Sequence, residues 1–156
     1  MPTNNITRFL DSRQVSYSAY ALPKRKLSAQ ETAQELDVPL ALIYKSIVVE
    51  RRAQGKPILA VVPGNREVDL KALARAVGEK KVSAATQAKA EQLTGLQAGG
   101  ISPLALINRG FEIVFDLSLR EHEEVHVSGG ERGVNLRIPV QDLEALCGGS
   151  AAAITR

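Results

Sequence analysis

One lysine stands out on an otherwise apolar strand face. Residues 43–50 alternate as a buried β-strand, and Lys45 shares its face with Ile43, Ile47 and Val49. An ammonium group in such surroundings is costly unless it is paired or borders a cleft. Two interpretations remain open at this point. Lys45 extends its charged end into water and has no further role, or it belongs to a binding site.

Two charge-poor loops carry paired glycines, Gly99-Gly100 and Gly129-Gly130. Glycine lets a backbone approach a ligand closely and lets amide groups converge on an anion. The same residues are also common in turns that bind nothing. Together with Lys45, the loops would form a small backbone-lined pocket able to orient a phosphate or an ester. Such a pocket would hold no obvious general base.

The segment from His122 to His126 matches the H-E-x-x-H zinc-protease pattern. That chemistry needs both histidines on one helical face. Here Val125 and Val127 alternate toward a glycine loop, which indicates a strand. Residues four apart in a strand are roughly 13 Å from each other, too far to share a zinc ion about 2 Å from each nitrogen. The sequence therefore predicts no metal site.

Other catalytic signatures are missing as well. Cys147 is the single cysteine, so an internal disulfide and a multi-cysteine zinc site are excluded. It has no histidine in its sequence context, which argues against a nucleophilic pair. Neither glycine loop has the spacing of a P-loop. A reducing, cytoplasmic setting follows from the cysteine usage.

Composition and charge narrow the class of protein only a little. The chain has 156 residues, 44% hydrophobic and 24% charged, typical of one soluble domain. A net charge of +3 permits an anionic partner such as RNA. The basic turn Pro23-Lys24-Arg25-Lys26 is either a solvated loop or a phosphate contact. No signal peptide and no membrane-spanning run is predicted.

Helices and strands interleave along the chain, and tight turns join several strand pairs. This pattern predicts a mixed sheet with helices around it, not a doubly wound parallel sheet. A capping box at Ser28 and caps at Thr3, Asp69 and Thr86 mark helix starts. We expect the segment after Ser150 to be frayed. The predicted helices are 3–12, 28–36, 69–78, 87–93 and 140–146, and the predicted strands are 15–22, 43–50, 57–63, 80–84, 111–117, 124–128 and 134–138.

Three motifs in fixed order carry a resemblance to a known family. They are Ile-Tyr-Lys-Ser-Ile-Val-Val at 43–49, Thr94-Gly95 with Gly-Gly-Ile-Ser-Pro at 99–103, and Val-Ser-Gly-Gly-Glu-Arg-Gly at 127–133. The chain resembles the YbaK/EbsC family of free-standing aminoacyl-tRNA deacylases, relatives of the editing domain inserted in bacterial prolyl-tRNA synthetases. The resemblance covers nearly the whole chain.

The resemblance implies one editing domain over residues 1–156. Its fold is α/β, with a mixed, mostly antiparallel, curled and barrel-like sheet surrounded by helices. The implied activity is hydrolysis of mischarged aminoacyl-tRNA, most typically Cys-tRNA(Pro), with no metal, cofactor or protein nucleophile. The substrate's own thiol or hydroxyl, or an oriented water, attacks. The implied partners are the aminoacyl-tRNA 3′ end and prolyl-tRNA synthetase, with no DNA and no membrane.

The resemblance also assigns site residues. Lys45 would hold the 3′-terminal adenosine, and the backbone of Gly100 would face the scissile ester. The remaining positions are substrate-binding: Tyr20, Gly99, Ile101, Ser102, Pro103, Ser128, Gly129, Gly130 and Asn135.

Two departures from the family pattern affect the amino-acid pocket. Residues 22–28 differ from it, and Asn135 stands where family members often carry an acidic residue. The edited amino acid therefore stays open between cysteine, alanine and other small residues. A binding module that docks on tRNA or a synthetase without hydrolysis is the alternative from another class, because the sequence offers no general base.

Overall fold

Five α-helices and eight β-strands form within residues 1–52 and 54–156, the part of the chain that this computed structural model describes. The helices are α1 Asn5–Ser12, α2 Ala29–Leu36, α3 Leu70–Ala76, α4 Gln87–Thr94 and α5 Val140–Cys147. The strands are β1 Ser18–Ala21, β2 Tyr44–Arg51, β3 Ile58–Pro63, β4 Val82–Ala84, β5 Glu112–Asp116, β6 Glu124–Ser128, β7 Val134–Pro139 and β8 Ser150–Ala152.

Short polar motifs set the helix starts. Ser28 and Glu31 form the predicted capping box of α2, with Ser28 Oγ accepting from the Glu31 N–H at 3.0 Å. Asp69 and Thr86 cap α3 and α4 as expected. The start of α1 is one residue later than predicted, because Asn4 and not Thr3 is the cap. The Asn4 amide also donates to the Gly129 carbonyl at 2.9 Å, which fixes this choice through a distant loop.

The strands form a large sheet and a small sheet in the described residues. The large sheet has the order β4-β2-β3-β5-β8, with β2 antiparallel to β3 and β4, and with β5 parallel to β3 and β8. The small sheet is antiparallel, in the order β1-β7-β6. The mixed α/β prediction and the β2–β3 hairpin are confirmed.

The predicted barrel-like curl is wrong. Both sheets are open, and among the described residues one isolated parallel bridge, between Ile43 and His126, connects them. A barrel needs a continuous hydrogen-bond ladder around its circumference. Here β2 pairs with β4 only from Val49 to Arg51, so the earlier part of its outer edge stays open.

Two apolar clusters hold the layers together. The first lies between the two sheets and includes Val48, Phe115 and Leu136, and the second packs the other face of the large sheet against α3, with Val49 and Leu73. Neighbouring residues of β2 thus serve opposite clusters, as strand alternation requires. No helix in the described part of the chain is both long and apolar enough to cross a bilayer.

The segment after Ser150 is ordered, contrary to the prediction of fraying. Strand β8 pairs with β5, and the Ile154 side chain is fully buried. The buried carboxylate of Asp116 accepts hydrogen bonds from the Ile154 N–H at 3.0 Å and from the Thr155 hydroxyl at 3.2 Å. Small side chains suggested a mobile tail, but the backbone of this segment completes a sheet edge.

Candidate active site

A cavity of about 300 Å³ lies between the two sheets, beside the first half of β2. Its walls come from β2, the turn before α2, the starts of α2 and α4, the loop after α4, and the facing ends of β6 and β7. This volume is at the lower end of the range for small-molecule sites. The cavity therefore suits a compact ligand group.

The open edge of β2 forms one wall of the cavity. The Gly64 N–H donates to the Ile43 carbonyl at 2.7 Å. Because backbone groups alternate in direction along a strand, the N–H and C=O of odd-numbered β2 residues point toward β3. Even-numbered residues point to the opposite edge, where the Val48 carbonyl accepts from the Ala85 N–H at 2.9 Å. Within the described residues, the Ser46 N–H and C=O have no hydrogen-bond partner on this edge. They are available to a ligand.

Lys45 borders this cavity, and its side chain is 24% exposed. Its ammonium lies 3.3 Å from a carboxylate oxygen of Glu67, which is itself mostly exposed. Both conditions that make a charge tolerable on an apolar face, pairing and a cleft, are therefore met. Because an exposed partner contributes little binding energy, an incoming anion can compete with Glu67 for the lysine.

The basic turn before α2 contributes two more cations. Arg25 pairs with Glu31 at 3.1 Å, whereas Lys26 Nζ donates to the neutral amide oxygen of Gln87 at 2.8 Å. With Lys45, three cations line the cavity, and the described lining residues include no Asp or Glu. The cavity is therefore suited to anionic groups such as phosphates.

The two glycine loops pack against each other beside the cavity. Arg132 Nε donates to the Ala98 carbonyl at 2.8 Å, and the Ser128 hydroxyl donates to the Gly99 carbonyl at 3.3 Å. A Cβ atom at Gly100 would lie 2.8 Å from the Glu131 Cα. The close approach of the loops therefore requires glycine at position 100.

The expected role of Gly100 at the scissile ester does not fit this geometry. Gly100 is buried behind the cavity wall, and its N–H donates to the Gln97 carbonyl at 2.8 Å. An amide already engaged in this way is not free to contact a ligand. Gly100 shapes the loop, while its neighbours Gly99 and Ile101 line the cavity.

The structure brings together only part of the site expected from the sequence. Ser102 is buried and caps the 3₁₀ turn that Pro103 begins, accepting from the Leu104 N–H at 3.2 Å. Gly129 and Gly130 border a different groove, next to α1. The expected residues that line the cavity are Lys45, Gly99, Ile101, Ser128 and Asn135, and those that do not are Tyr20, Gly100, Ser102, Pro103, Gly129 and Gly130.

The polar residues near the cavity that were not predicted include Ser46, Gln87 and His126. Ser46 and Gln87 line the cavity because distant elements converge on them. His126 is buried, its Nδ1 lies 2.9 Å from Asn135 Oδ1, and its ring centroid lies 5.7 Å from that of Tyr20. Burial lowers the pKa of His126, and the hydrogen bond to Asn135 partly opposes this. Periodicity showed His126 in a strand, but not its partner.

The strand conformation around His126 is confirmed, since His126 lies in β6 and His122 follows a 3₁₀ turn. The two histidines therefore do not share a helical face. In residues 1–52 and 54–156, no three His, Cys, Asp or Glu side chains are grouped so that they could hold a metal ion.

Sequence comparisons define the class of protein. The model of the family described as "Aminoacyl-tRNA editing domain" matches residues 24–146, and this chain belongs to that family. The resemblance to YbaK/EbsC-type proteins is thereby confirmed.

Individual relatives cover most of the chain. The chain is 33% identical over 153 residues to the Enterococcus faecalis protein named "Putative Cys-tRNA(Pro)/Cys-tRNA(Cys) deacylase EbsC", covering 97% of this chain and 92% of that one. It is 26% identical over 121 residues to "Prolyl-tRNA editing protein ProX" of Acetoanaerobium sticklandii, covering 74% and 73%. The crystal structure of hypothetical protein APE2540 shares the fold, with a TM-score of 0.89, 24% identity, and coverage of 98% and 100%.

Proposed function

We propose that this chain is a free-standing editing domain that hydrolyses the ester of mischarged aminoacyl-tRNA, with Cys-tRNA(Pro) as its main substrate. The observation that carries the proposal is the cavity itself, in which three cations and an open strand edge meet without a lining carboxylate among the described residues. The names of the EbsC and ProX relatives support the choice of substrate.

Lys45 and Lys26 anchor the phosphate-bearing 3′ end of the tRNA in this proposal. Both lysines line the cavity, and the present partners of their ammonium groups are an exposed carboxylate and a neutral amide. A lysine on a strand and a lysine in a turn hold a flexible single strand at two points. Such positioning lowers the entropic cost of bringing the ester into reacting geometry.

The loop at Gly99 and Ile101 lies along the cavity, and in this proposal its backbone amides donate to the ester. Donors fixed in advance stabilise the negative charge that develops on the carbonyl oxygen. Cys147 does not serve as the nucleophile in this proposal, because it is not among the described lining residues and burial raises the pKa of its thiol to about 12. The substrate's own thiol or hydroxyl, or a bound water, attacks instead.

A deacylation panel tests the proposal. Cys-tRNA(Pro), Ala-tRNA(Pro) and other charged tRNAs are incubated with the protein, with and without prolyl-tRNA synthetase, and ester loss is followed. We expect Cys-tRNA(Pro) to be hydrolysed fastest and the synthetase to sharpen discrimination between tRNAs. A faster loss of the alanyl ester would move the substrate assignment to alanine.

Lys45→Ala should abolish the activity, and Lys45→Arg should restore little of it, because guanidinium keeps the charge but changes the shape. Lys71→Ala is the matched control, since it removes an exposed lysine of α3 that is not part of the cavity wall. Full activity of Lys45→Ala would refute the role given to Lys45. Binding of charged tRNA without turnover would show a docking module and not an enzyme.

A further inference from the structure

Two buried polar side chains of the small sheet, His126 and Asn135, form a pair next to the cavity. Each is 4% exposed, and His126 Nδ1 lies 2.9 Å from Asn135 Oδ1. The register places Asn135 opposite Ser128 and His126 opposite Arg137, so both side chains project from the same sheet face. Asn135 reaches the cavity wall, whereas His126 supports it from behind.

The chemistry of the pair fixes the direction of this hydrogen bond. A carboxamide oxygen can only accept, so the Nδ1 of His126 must carry the proton. The Asn135 amide nitrogen has no hydrogen-bond partner among the described residues, yet it is not sealed from solvent. Its two N–H groups are therefore free to donate to a ligand in the cavity.

The charges around the cavity decide whether the site can recognise the α-ammonium group of an aminoacyl ester. Arg25, Lys26 and Lys45 line the cavity, and the described lining provides no carboxylate to neutralise a cation. The polar residue that β7 contributes to the cavity wall is Asn135, whose side-chain oxygen already accepts from His126. Arg25 and Lys45 are already paired with Glu31 and Glu67, and the described lining offers an α-ammonium no carboxylate contact, so a free amine gains nothing over a blocked, neutral one.

We propose that His126 is a positioning residue that holds Asn135 as a hydrogen-bond donor into the cavity, so that the site recognises an acceptor oxygen of the acyl group and not its α-ammonium. This inference rests on the proposed deacylase function and defines its substrate class. Aminoacyl esters with a blocked amine are substrates as good as those with a free amine.

Matched substrates test the specificity. Hydrolysis of cysteinyl-tRNA(Pro) and N-acetylcysteinyl-tRNA(Pro) is measured, and each rate is divided by the uncatalysed rate of the same ester. We expect the two normalised rates to agree within about 3-fold for the native protein. In Asn135→Asp, the ratio should move about 10-fold toward the free amine, the effect of roughly one hydrogen bond or charge contact. A native preference for the free amine above about 3-fold, or an unchanged ratio in Asn135→Asp, would overturn the proposal.

Two variants of His126 separate positioning from packing. His126→Phe keeps a ring but removes the Nδ1 donor, and His126→Asn restores an N–H donor near the Nδ1 position. We expect kcat/KM to fall about 10-fold in His126→Phe and to recover in His126→Asn. Equal loss in both variants would indicate packing alone, and no loss in either would show that Asn135 needs no support.

The state of the pair can be read without any activity. ¹⁵N NMR of the native protein at pH 8 should show His126 protonated at Nδ1 and unprotonated at Nε2, and Asn135→Leu should change this signature. An Nε2–H tautomer would overturn the pair itself. If no charged tRNA is hydrolysed, the proposed function is wrong, and the tautomer alone then decides whether the pair exists.

Discussion

Gly100 shows how a residue can matter to a site that it does not touch. Its hydrogen atoms face the backbone of Glu131, where a Cβ would lie 2.8 Å from the Cα and 3.1 Å from the carbonyl carbon. Backbone atoms cannot yield as a flexible side chain can. The distance between the two glycine loops is thus set at this position, and with it the place of Gly99 and Ile101 along the cavity.

Gly100→Ala should therefore separate the two loops and lower kcat/KM for deacylation, with a loss of stability of about 1–3 kcal/mol from overpacking. Gly95→Ala is the matched control. It strains a left-handed backbone, φ 71°, but a Cβ there meets no atom within 4 Å. Urea denaturation and deacylation rates measure the two effects. Equal activity of Gly100→Ala and native protein would contradict this account of the loops.

His126 gives stability a pH dependence. Burial lowers its pKa below the ordinary value of 6.5, with Arg137 acting in the same direction and Glu124 and the Asn135 hydrogen bond opposing. As the pH falls through 6.5, the unfolded chain binds a proton that the folded chain resists, so stability declines until the lower folded pKa is reached.

The corresponding experiment compares unfolding free energies of the native protein and His126→Phe between pH 7.5 and pH 5. Other groups titrate alike in both, so their difference isolates His126. We expect the advantage of the native protein over His126→Phe to shrink toward low pH. A constant difference across this range would show that burial does not suppress the protonation of His126.

Among the elements, the basic turn before α2, residues 23–26, has contacts that distinguish its two possible roles, a solvated loop and a phosphate contact. Glu31 caps α2 and also pairs with Arg25, so one side chain ties the turn to the helix. Lys26 reaches across to Gln87 at the start of α4. Because its partner is neutral, the charge of Lys26 is available to a phosphate, which favours a binding role over a solvated loop.

Lys26→Gln should weaken tRNA binding in a salt-dependent manner. One phosphate contact on a single strand accounts for a slope of about 0.7 in log K against log salt concentration. We expect the slope measured by fluorescence titration to become shallower by about that amount. Lys71→Gln, on the exposed side of α3, should leave the slope unchanged. A parallel shift of the whole line, without a change in slope, would exclude a direct phosphate contact.

Elements with local signals were predictable from the sequence. The capping residues Ser28, Asp69 and Thr86 act within their own helices, and the alternation of β2 reports its two faces. Lys45 was identifiable for the same reason, since it breaks a local pattern. Ser46 was not, because its significance depends on β4 beginning to pair only at Val49. Whether a strand edge is open depends on where the adjacent strand pairs, and the sequence of β2 alone does not contain that information.

For the whole molecule, the arrangement of the sheets was the part that local patterns could not supply. Strand directions follow from turns, but the link between the sheets depends on one distant bridge, Ile43 with His126. The same limit applies to the pair formed by His126 and Asn135. Long-range pairing is decided by the packing of the complete core, so it leaves no periodic trace in the sequence.

The packing of the whole molecule also determines the reactivity of its single thiol. Burial raises the pKa of Cys147 from 9.0 to about 12, so at pH 8 the thiolate fraction falls about 1,000-fold. Cys147 is partly exposed, so we expect a disulfide reagent such as DTNB to label the native protein much more slowly at pH 8 than the protein unfolded in 6 M guanidinium, where one thiol per chain reacts. Rapid labelling of the native protein would contradict the packing of α5.

The anchoring of residues 150–156 has a genetic consequence. The backbone of Arg156 exchanges hydrogen bonds with Glu67, the partner of Lys45, at 3.0 and 3.5 Å, and Asp116 binds Ile154 and Thr155. A nonsense or frameshift mutation after Gly149 would spare every residue that lines the cavity. It would nevertheless release the segment that holds Glu67 beside Lys45 and leave the Asp116 carboxylate without those partners. A late truncation allele would thus remove a sheet edge and change the surroundings of Lys45 without altering any residue that lines the cavity.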